Sequence, residues 1–284
     1  MTCGELVCDP HASCGAGPNG AACTCDPGYT GNGTTCTDID ECASAPCGPG
    51  TCVNEPGSYS CNCNLGYEEQ NGTCVAADEC TVANGGCAAG CTCADTPGAS
   101  PVCSCVLSHS SSSAIVAANS VACNYSGLEN ADNSYYRVYD LAAFGIDGDF
   151  AVSSVSIGIE QATGGAGSQP ATLRLHRLNG AMQTSNFTTL TTAPITIFDA
   201  AATVVSFPVS GTAQAGTQLV VELNTPDAEF LGHLFFIGSN TAAETGPSYL
   251  RAPTCGFTEP TTSAAIGYPG MHIVLDVEGS YSPP

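Results

Sequence analysis

The stretch Asp38-Ile39-Asp40-Glu41 sets three carboxylates into four residues, directly ahead of Cys42. Carboxylates at that density, with the amide of Asn54 further along, are hard oxygen donors of the kind calcium collects in sixes to eights. A solvated acidic turn is the plainer use of the same residues. Six half-cystines follow at once, Cys42, Cys47, Cys52, Cys61, Cys63 and Cys74, with Gly, Pro and Asn turns between them and hardly an apolar run. So short a segment cannot fold on buried surface alone, and cross-links must supply the stability.

Other residue types with chemical reach are less well grouped. His176, His233 and His272 are scattered, and no Gly-x-Ser-x-Gly, His-Glu-x-x-His or phosphate-loop motif occurs, so a non-enzymatic chain with packed or strand-surface histidines is expected. Asp147-Gly148-Asp149 is a short acidic turn suited to a second calcium, or to standing solvated ahead of Phe150. Tyr135, Arg137 and Tyr139 offer rings and a guanidinium for stacking on a sugar. By strand alternation these three share one face and Tyr136 turns to the other, so part of this aromatic set belongs to a core.

Composition narrows the partners. The formal net charge is -22, with no lysine and only Arg137, Arg174, Arg177 and Arg251. Such a chain repels phosphate backbones and anionic headgroups, so neither nucleic-acid binding nor membrane insertion is expected. No apolar stretch of spanning length and no signal peptide is visible, so Met1 is expected to begin a mature or recombinant form. Eighteen of the twenty cysteines precede residue 106, and only Cys123 and Cys255 follow. Their even number and dense spacing imply an oxidising, extracellular setting, and the lack of paired zinc-knuckle spacing sets zinc aside.

Asp-Ile-Asp-Glu before the first cysteine, with Asn54 and Tyr59 in Cys-Val-Asn-(four residues)-Tyr-Ser-Cys, resembles the calcium-binding subclass of the EGF-like family. The resemblance implies bridges Cys42–Cys52, Cys47–Cys61 and Cys63–Cys74. It also implies a calcium held by side chains of Asp38, Glu41 and Asn54 and by backbone carbonyls of Ile39, Glu55 and Ser58. Residues 1–37 resemble a first EGF-like unit, with Cys3–Cys14, Cys8–Cys23 and Cys25–Cys36 paired; it lacks the acidic preface, and no calcium is assigned to it. Pro27-Gly28-Tyr29 repeats as Leu65-Gly66-Tyr67, and in tandem EGF arrays such an aromatic packs on the next module. Tyr29 is therefore expected to face the second unit, residues 38–75.

A third, atypical EGF-like unit spans residues 76–106, with Cys80–Cys93 and Cys87–Cys103 implied. Ala76 stands where the first acidic ligand belongs, although Asp95 occupies the Asn54-like position. Cys91 is an extra half-cystine. Either Cys91 pairs with Cys105 and Cys123 with Cys255, which keeps bridges within domains and is favoured, or Cys105 pairs with Cys123 and Cys91 with Cys255. The serine-rich residues 107–113 read as a linker.

From residue 114 to 284 short apolar or alternating runs follow one another: 135–141, 151–160, 172–178, 203–209, 218–223, 234–238 and 272–277. Gly, Asn, Asp and Pro punctuate them, and no helical period persists, which predicts a mainly β fold ending in an antiparallel β-sandwich of jelly-roll type. Asn133-Ser134-Tyr135-Tyr136-Arg137-Val138-Tyr139 and Ala265-Ile266-Gly267-Tyr268-Pro269-Gly270-Met271-His272 resemble an uncharacterised sandwich module of secreted bacterial proteins.

Sequons stand at Asn32, Asn71, Asn124 and Asn186. Ser13 and Ser44 lie in stretches resembling EGF O-fucose and O-glucose sites; Asn-Gly-Thr is equally a good turn. The expected protein is a secreted, calcium-stiffened building block of an extracellular fibre, appendage or matrix, self-assembling through sheet edges or binding other extracellular proteins. The rivals are an adhesive or carbohydrate-binding tip on an EGF stalk, and a non-catalytic piece of a larger secreted enzyme.

Overall fold

The computed structural model describes residues 2–3, 5–17, 20–125 and 129–284. The chain divides into two compact units, Met1–Glu79 with Asp95–Ser100, and Cys80–Ala94 with Pro101–Pro284. All twenty cysteines are paired.

In the first unit each module is a pair of small hairpins on three bridges. The first module has Ala12–Gly17 against Gly20–Cys25 and Tyr29–Gly31 against Cys36–Asp38, closed by Cys3–Cys14, Cys8–Cys23 and Cys25–Cys36. The second has Gly50–Glu55 against Ser58–Cys63 and Tyr67–Gln70 against Thr73–Ala76, closed by Cys42–Cys52, Cys47–Cys61 and Cys63–Cys74. The buried side chains here are largely the half-cystines themselves, Cys3, Cys8, Cys47 and Cys74, with Ala12. The bridges take the place of an apolar core.

The second unit is a sandwich of two six-stranded antiparallel sheets. Its main strands are β1 (Thr92–Ala94), β2 (Val102–Leu107), β3 (Asn133–Asp140), β4 (Phe150–Thr163), β5 (Ser168–Leu178) and β6 (Phe187–Phe198). Then come β7 (Ala200–Ala213), β8 (Gln218–Thr225), β9 (Leu234–Ile237), β10 (Tyr249–Ala252), β11 (Phe257–Thr262) and β12 (Leu275–Tyr281). One sheet runs β1-β2-β12-β4-β7, with β9 also on β4, and the other runs β6-β5-β8-β3-β10-β11. Phe150, Val155, Ile157, Leu275 and Val277 of the first sheet interlock with Tyr135, Tyr139, Leu173, Leu175, Val221 and Leu223 of the second.

Three features depart from the expected organisation. First, the half-cystines of the third module belong to the sandwich unit. β2 pairs with β12 from Cys103↔Tyr281 to Leu107↔Val277, so the module's last strand extends the sandwich sheet. Cys103 and Cys105, two apart on that strand, turn to the same buried side. They meet Cys87 and Cys91 there, while Cys80 pairs with Cys93 and Cys123 with Cys255. Second, residues 107–113 are not a free linker. Leu107 and His109 are buried, and the His109 ring stacks on Tyr139 with centroids 4.8 Å apart. Ser111 N donates to the Ala243 carbonyl at 3.0 Å, and the serine hydroxyls turn to backbone, as in Ser110 Oγ to Ser112 O at 2.7 Å. Third, β6, β10 and β11 are strands the apolar pattern did not predict.

The sheet edges carry a shared feature. β6, β7 and β11 contain Pro194, Pro208 and Pro260, and β1 and β9, which also have one partner each, are only three and four residues long. A proline on an edge has no N–H to offer an incoming strand.

Candidate functional site

The joint between the first two modules gathers the residues singled out for calcium. Asp38 ends the second hairpin of the first module, and its carboxylate reaches the main hairpin of the second. Oδ2 accepts from Asn54 Nδ2 at 2.8 Å and Oδ1 from Gly57 N at 2.5 Å. Glu55 and Ser58 are partners at the end of that hairpin, so their carbonyls flank the same turn. Glu41 lies in a one-turn 3-10 helix, Glu41–Ser44, which Cys42–Cys52 ties to the strand bearing Asn54.

Glu41 Oε2 is buried and has no hydrogen-bond partner. A buried carboxylate oxygen with no donor, on a helix tied by Cys42–Cys52 to the strand whose Asn54 holds Asp38, is a group that a hard dication would satisfy. The donors fit calcium: Asp38, Glu41 and Asn54 through side chains, Ile39, Glu55 and Ser58 through carbonyls. Bound there, the ion would cross-link the two modules.

Packing supports the same joint. Gly57 has φ +81°, and a Cβ on it would lie 2.7 Å from Tyr29 Cε2, so the Tyr29 ring covers the hairpin turn. Ile39 N donates to Gly28 O at 2.9 Å, and His11 stacks behind Tyr29 at 4.4 Å. The arrangement recurs between the second module and the loop Asp95–Ser100. Ala77 N donates to Gly66 O at 3.0 Å, and Tyr67 covers Gly98, whose φ is +77°. Here, however, Ala76 replaces Asp38, and the Asn54-like Asp95 hydrogen-bonds Glu79. That contact pushes the Glu79 carboxyl above its ordinary value. Glu79 Oε2, like Glu41 Oε2, is buried without a hydrogen-bond partner, so the joints differ in the carboxylate that Ala76 removes and in the Asp95 contact that takes its place.

The remaining sequence candidates fare differently. Tyr135, Arg137 and Tyr139 have no exposed surface, so they build no sugar platform. Alternation placed them on one face correctly, but that face is the core. Arg137 instead donates Nε and Nη2 to the Ile273 carbonyl and Nη1 to Glu244 and Gly246 O. Of the second calcium pair, Asp147 and Asp149 are both exposed, and Asp149 Oδ1 accepts from Ala215 N at 2.9 Å. Among the described residues the one cluster with metal-ligand spacing is Cys3, Cys8 and Cys23, and these are in bridges.

Of the histidines, His272 sits on the carbonyls of Ala242 and Pro269, and His233 is half-buried. His176 is buried between Thr189 and Glu222. Glu222, which the sequence reading did not single out, also accepts from Ser134, Tyr136 and Arg174. Burial alone would push the Glu222 carboxyl up. The bonds from His176 and Ser134 and the nearby Arg174 charge outweigh it and hold the group below the ordinary glutamate range.

The glycosylation candidates Ser13, Asn32, Ser44 and Asn71 are exposed. Asn124 is half-buried, its sequon running into Ser126 outside the described residues. Asn186 spends its Nδ2 on the Ala181 carbonyl at 2.9 Å.

Comparison with known proteins agrees with the joint. Residues 20–41 match the Complement Clr-like EGF-like family and residues 38–74 the calcium-binding EGF domain. Over 50 residues the chain is 46% identical to adhesion G protein-coupled receptor L4 of Mus musculus, a match covering 17% of this chain and 7% of the receptor. A crystal structure of the cysteine protease and lectin-like domains of a surface layer associated protein of Clostridium difficile overlays with TM-score 0.39 and 12% identity. That overlay covers 55% of this chain and 33% of the other. The chain therefore spans less than a tenth of the curated relative's length. Its N-terminal 74 residues hold EGF-like modules, the second matching the calcium-binding kind, and the protein is extracellular. No helix among the described residues is long and apolar enough to cross a membrane.

Proposed function

We propose that this chain is a non-enzymatic presenting protein, secreted or held at a cell surface, in which a calcium-set EGF-like tandem carries the sandwich as a recognition head. The repeated joint carries this reading. Gly28, Tyr29, Ile39 and Gly57 at one boundary correspond to Gly66, Tyr67, Ala77 and Gly98 at the next. Covering a following glycine turn with a tyrosine twice within the first unit is a repeated device that suits a spacer. Calcium at Asp38, Glu41 and Asn54 would remove hinge freedom at the first boundary, where the ordering cost falls on the metal rather than on a partner.

The expected fibre built by strand addition is less well supported. Pro194, Pro208 and Pro260 deny an incoming strand part of its ladder on each long edge. The test is sedimentation velocity across a range of protein concentrations in millimolar calcium. One monomeric species at all concentrations is expected. Reversible polymers that dissolve on chelation would return the chain to the fibre reading.

A further inference from the structure

We propose that a cleft on the outer face of the second sheet is a recognition site for the guanidinium or ammonium side chain of a basic protein ligand. The proposal deepens the recognition-head reading and rests on it. The cleft holds about 560 Å³, within the range of ligand sites. Its floor includes Asp140 at the end of β3, Gln218 at the start of β8, and Tyr249 of β10. Phe144, Met182 and His109 stand among its walls.

Asp140 is the single acidic residue of the lining, and no arginine lines the cleft. His109 supplies no positive charge. Its Nε2 faces the Val138 carbonyl at 2.6 Å and must be the protonated nitrogen, while Nδ1 meets Thr245 Oγ1 at 2.8 Å as acceptor. Burial keeps that ring neutral by lowering its pKa. The Asp140 carboxylate is weakly engaged: Ala143 N reaches Oδ1 and Gln218 Nε2 reaches Oδ2, both at 3.3 Å. It takes part in none of the ion pairs among the described residues.

Each ligand class can be weighed against that lining. An anion meets Asp140 and a chain of net charge -22. A wholly apolar ligand would strip water from the carboxylate and return nothing. A cation fills the open lone pairs with charge-assisted bonds, and the rings of Phe144 and Tyr249 favour it further. A second copy of this chain is a poor donor. It has no lysine, Arg137 is buried, Arg174 and Arg251 are paired with Glu222 and Asp132, and Arg177 donates Nη1 to Gln214 while its Nε is buried. The ligand is therefore a different, basic protein.

Calorimetry on the full chain in millimolar calcium and about 0.15 M salt tests this, the salt suppressing long-range attraction to the acidic surface. The probes are acetyl-Gly-Arg-Gly-amide, the same peptide with neutral citrulline for arginine, and a panel of neutral oligosaccharides. Saturable one-to-one binding of the arginine peptide is expected, weakened about tenfold or more by citrulline and by Asp140→Asn. Met182→Trp, which fills the cleft, must weaken it too, with melting temperature as the control for folding. No binding, equal binding of the citrulline peptide, binding indifferent to both variants, or an oligosaccharide that takes the cleft instead overturns the site. A monomeric chain that ignores the arginine peptide sinks this site alone, whereas a polymerising chain that binds it sinks the presenting reading alone.

Discussion

Arg137 and Glu244 form an ion pair at 2.8 Å in which the arginine has no exposed surface, and the same Nη1 holds the Gly246 carbonyl at 2.6 Å. A guanidinium inside a sandwich is tolerable because its donors find three acceptors in a fixed fork, Ile273 O, Glu244 and Gly246 O. The pair also sets the segment 244–247, where Thr245, Gly246 and Pro247 border the cleft beside β10.

Replacing Arg137 by leucine leaves Glu244 with only Ser248 and His272, each at 3.5 Å, and takes the guanidinium donors from the Ile273 and Gly246 carbonyls. Denaturant unfolding with the bridges intact should show a loss of about 3–5 kcal/mol. Lysine should rescue little, since it cannot span three acceptors. A cost of no more than about 1 kcal/mol, the ordinary penalty of a substitution, would show that the network is dispensable.

Gly57→Ala and Gly98→Ala form a matched pair. Each adds a methyl at positive φ against a tyrosine ring, Tyr29 in one case and Tyr67 in the other. Gly57 N also bonds Asp38, so its substitution should weaken calcium binding about tenfold or more. Gly98→Ala should leave calcium affinity unchanged. Tyrosine fluorescence is the natural reporter because the chain has no tryptophan. Equal effects of the two variants on calcium would contradict the assignment of the ion to the first joint.

Glu79 and Asp95 make the second joint sensitive to protons. The raised Glu79 carboxyl favours protonation in the folded state, so its contribution is full below the unfolded value of 4.5 and fades as pH climbs through the folded one. Carboxyl NMR should find Glu79 titrating above an ordinary glutamate, and Asp95→Asn should bring it back toward one. An unshifted Glu79 in the wild type removes the idea.

Glu222 behaves in the opposite sense. Held below its ordinary 4.5, it stabilises the sandwich above that pH, and the contribution disappears as pH falls through the lower folded value. Melting temperatures between pH 7 and pH 3 should therefore fall more steeply for the wild type than for Glu222→Gln. Parallel curves would mean that His176, Ser134 and Arg174 do not hold the carboxylate as argued.

Cys123–Cys255 closes a loop with a sequence separation of 132. Replacing both cysteines by serine should cost about 2–5 kcal/mol, mostly through a freer unfolded chain. Unchanged unfolding midpoints in the double variant would show that the bridge is idle.

The cysteine frame was legible because its spacing is itself the structure: a bridge fixes where its half-cystines stand. The sandwich was legible in its apolar strands, such as 150–163 and 218–225. It was not legible in β6, an edge strand rich in threonine with mostly exposed residues, where β-branching stands in for apolar alternation. Tyr135 and Tyr139 were misread because alternation names a face without saying what covers it. Here both faces of β3 are covered, the inner by the first sheet and the outer partly by Phe187, whose ring lies 5.9 Å from that of Tyr136. Leu107 to Ser113 failed for a related reason. A run of serine reads as solvated, yet each hydroxyl can turn to backbone and let the segment pack.

The pairing of β2 with β12 has a consequence for how this protein can be cut and shuffled. Excision at residue 114 would strip a strand from the sandwich and bare the backbone of β12 from Val277 to Tyr281. Such a fragment should aggregate, whereas one beginning ahead of Cys80 keeps its cover and its three local bridges. The heritable cassette is therefore larger than the sandwich, and a genetic exchange that respects the fold must carry the third cysteine cluster along with it.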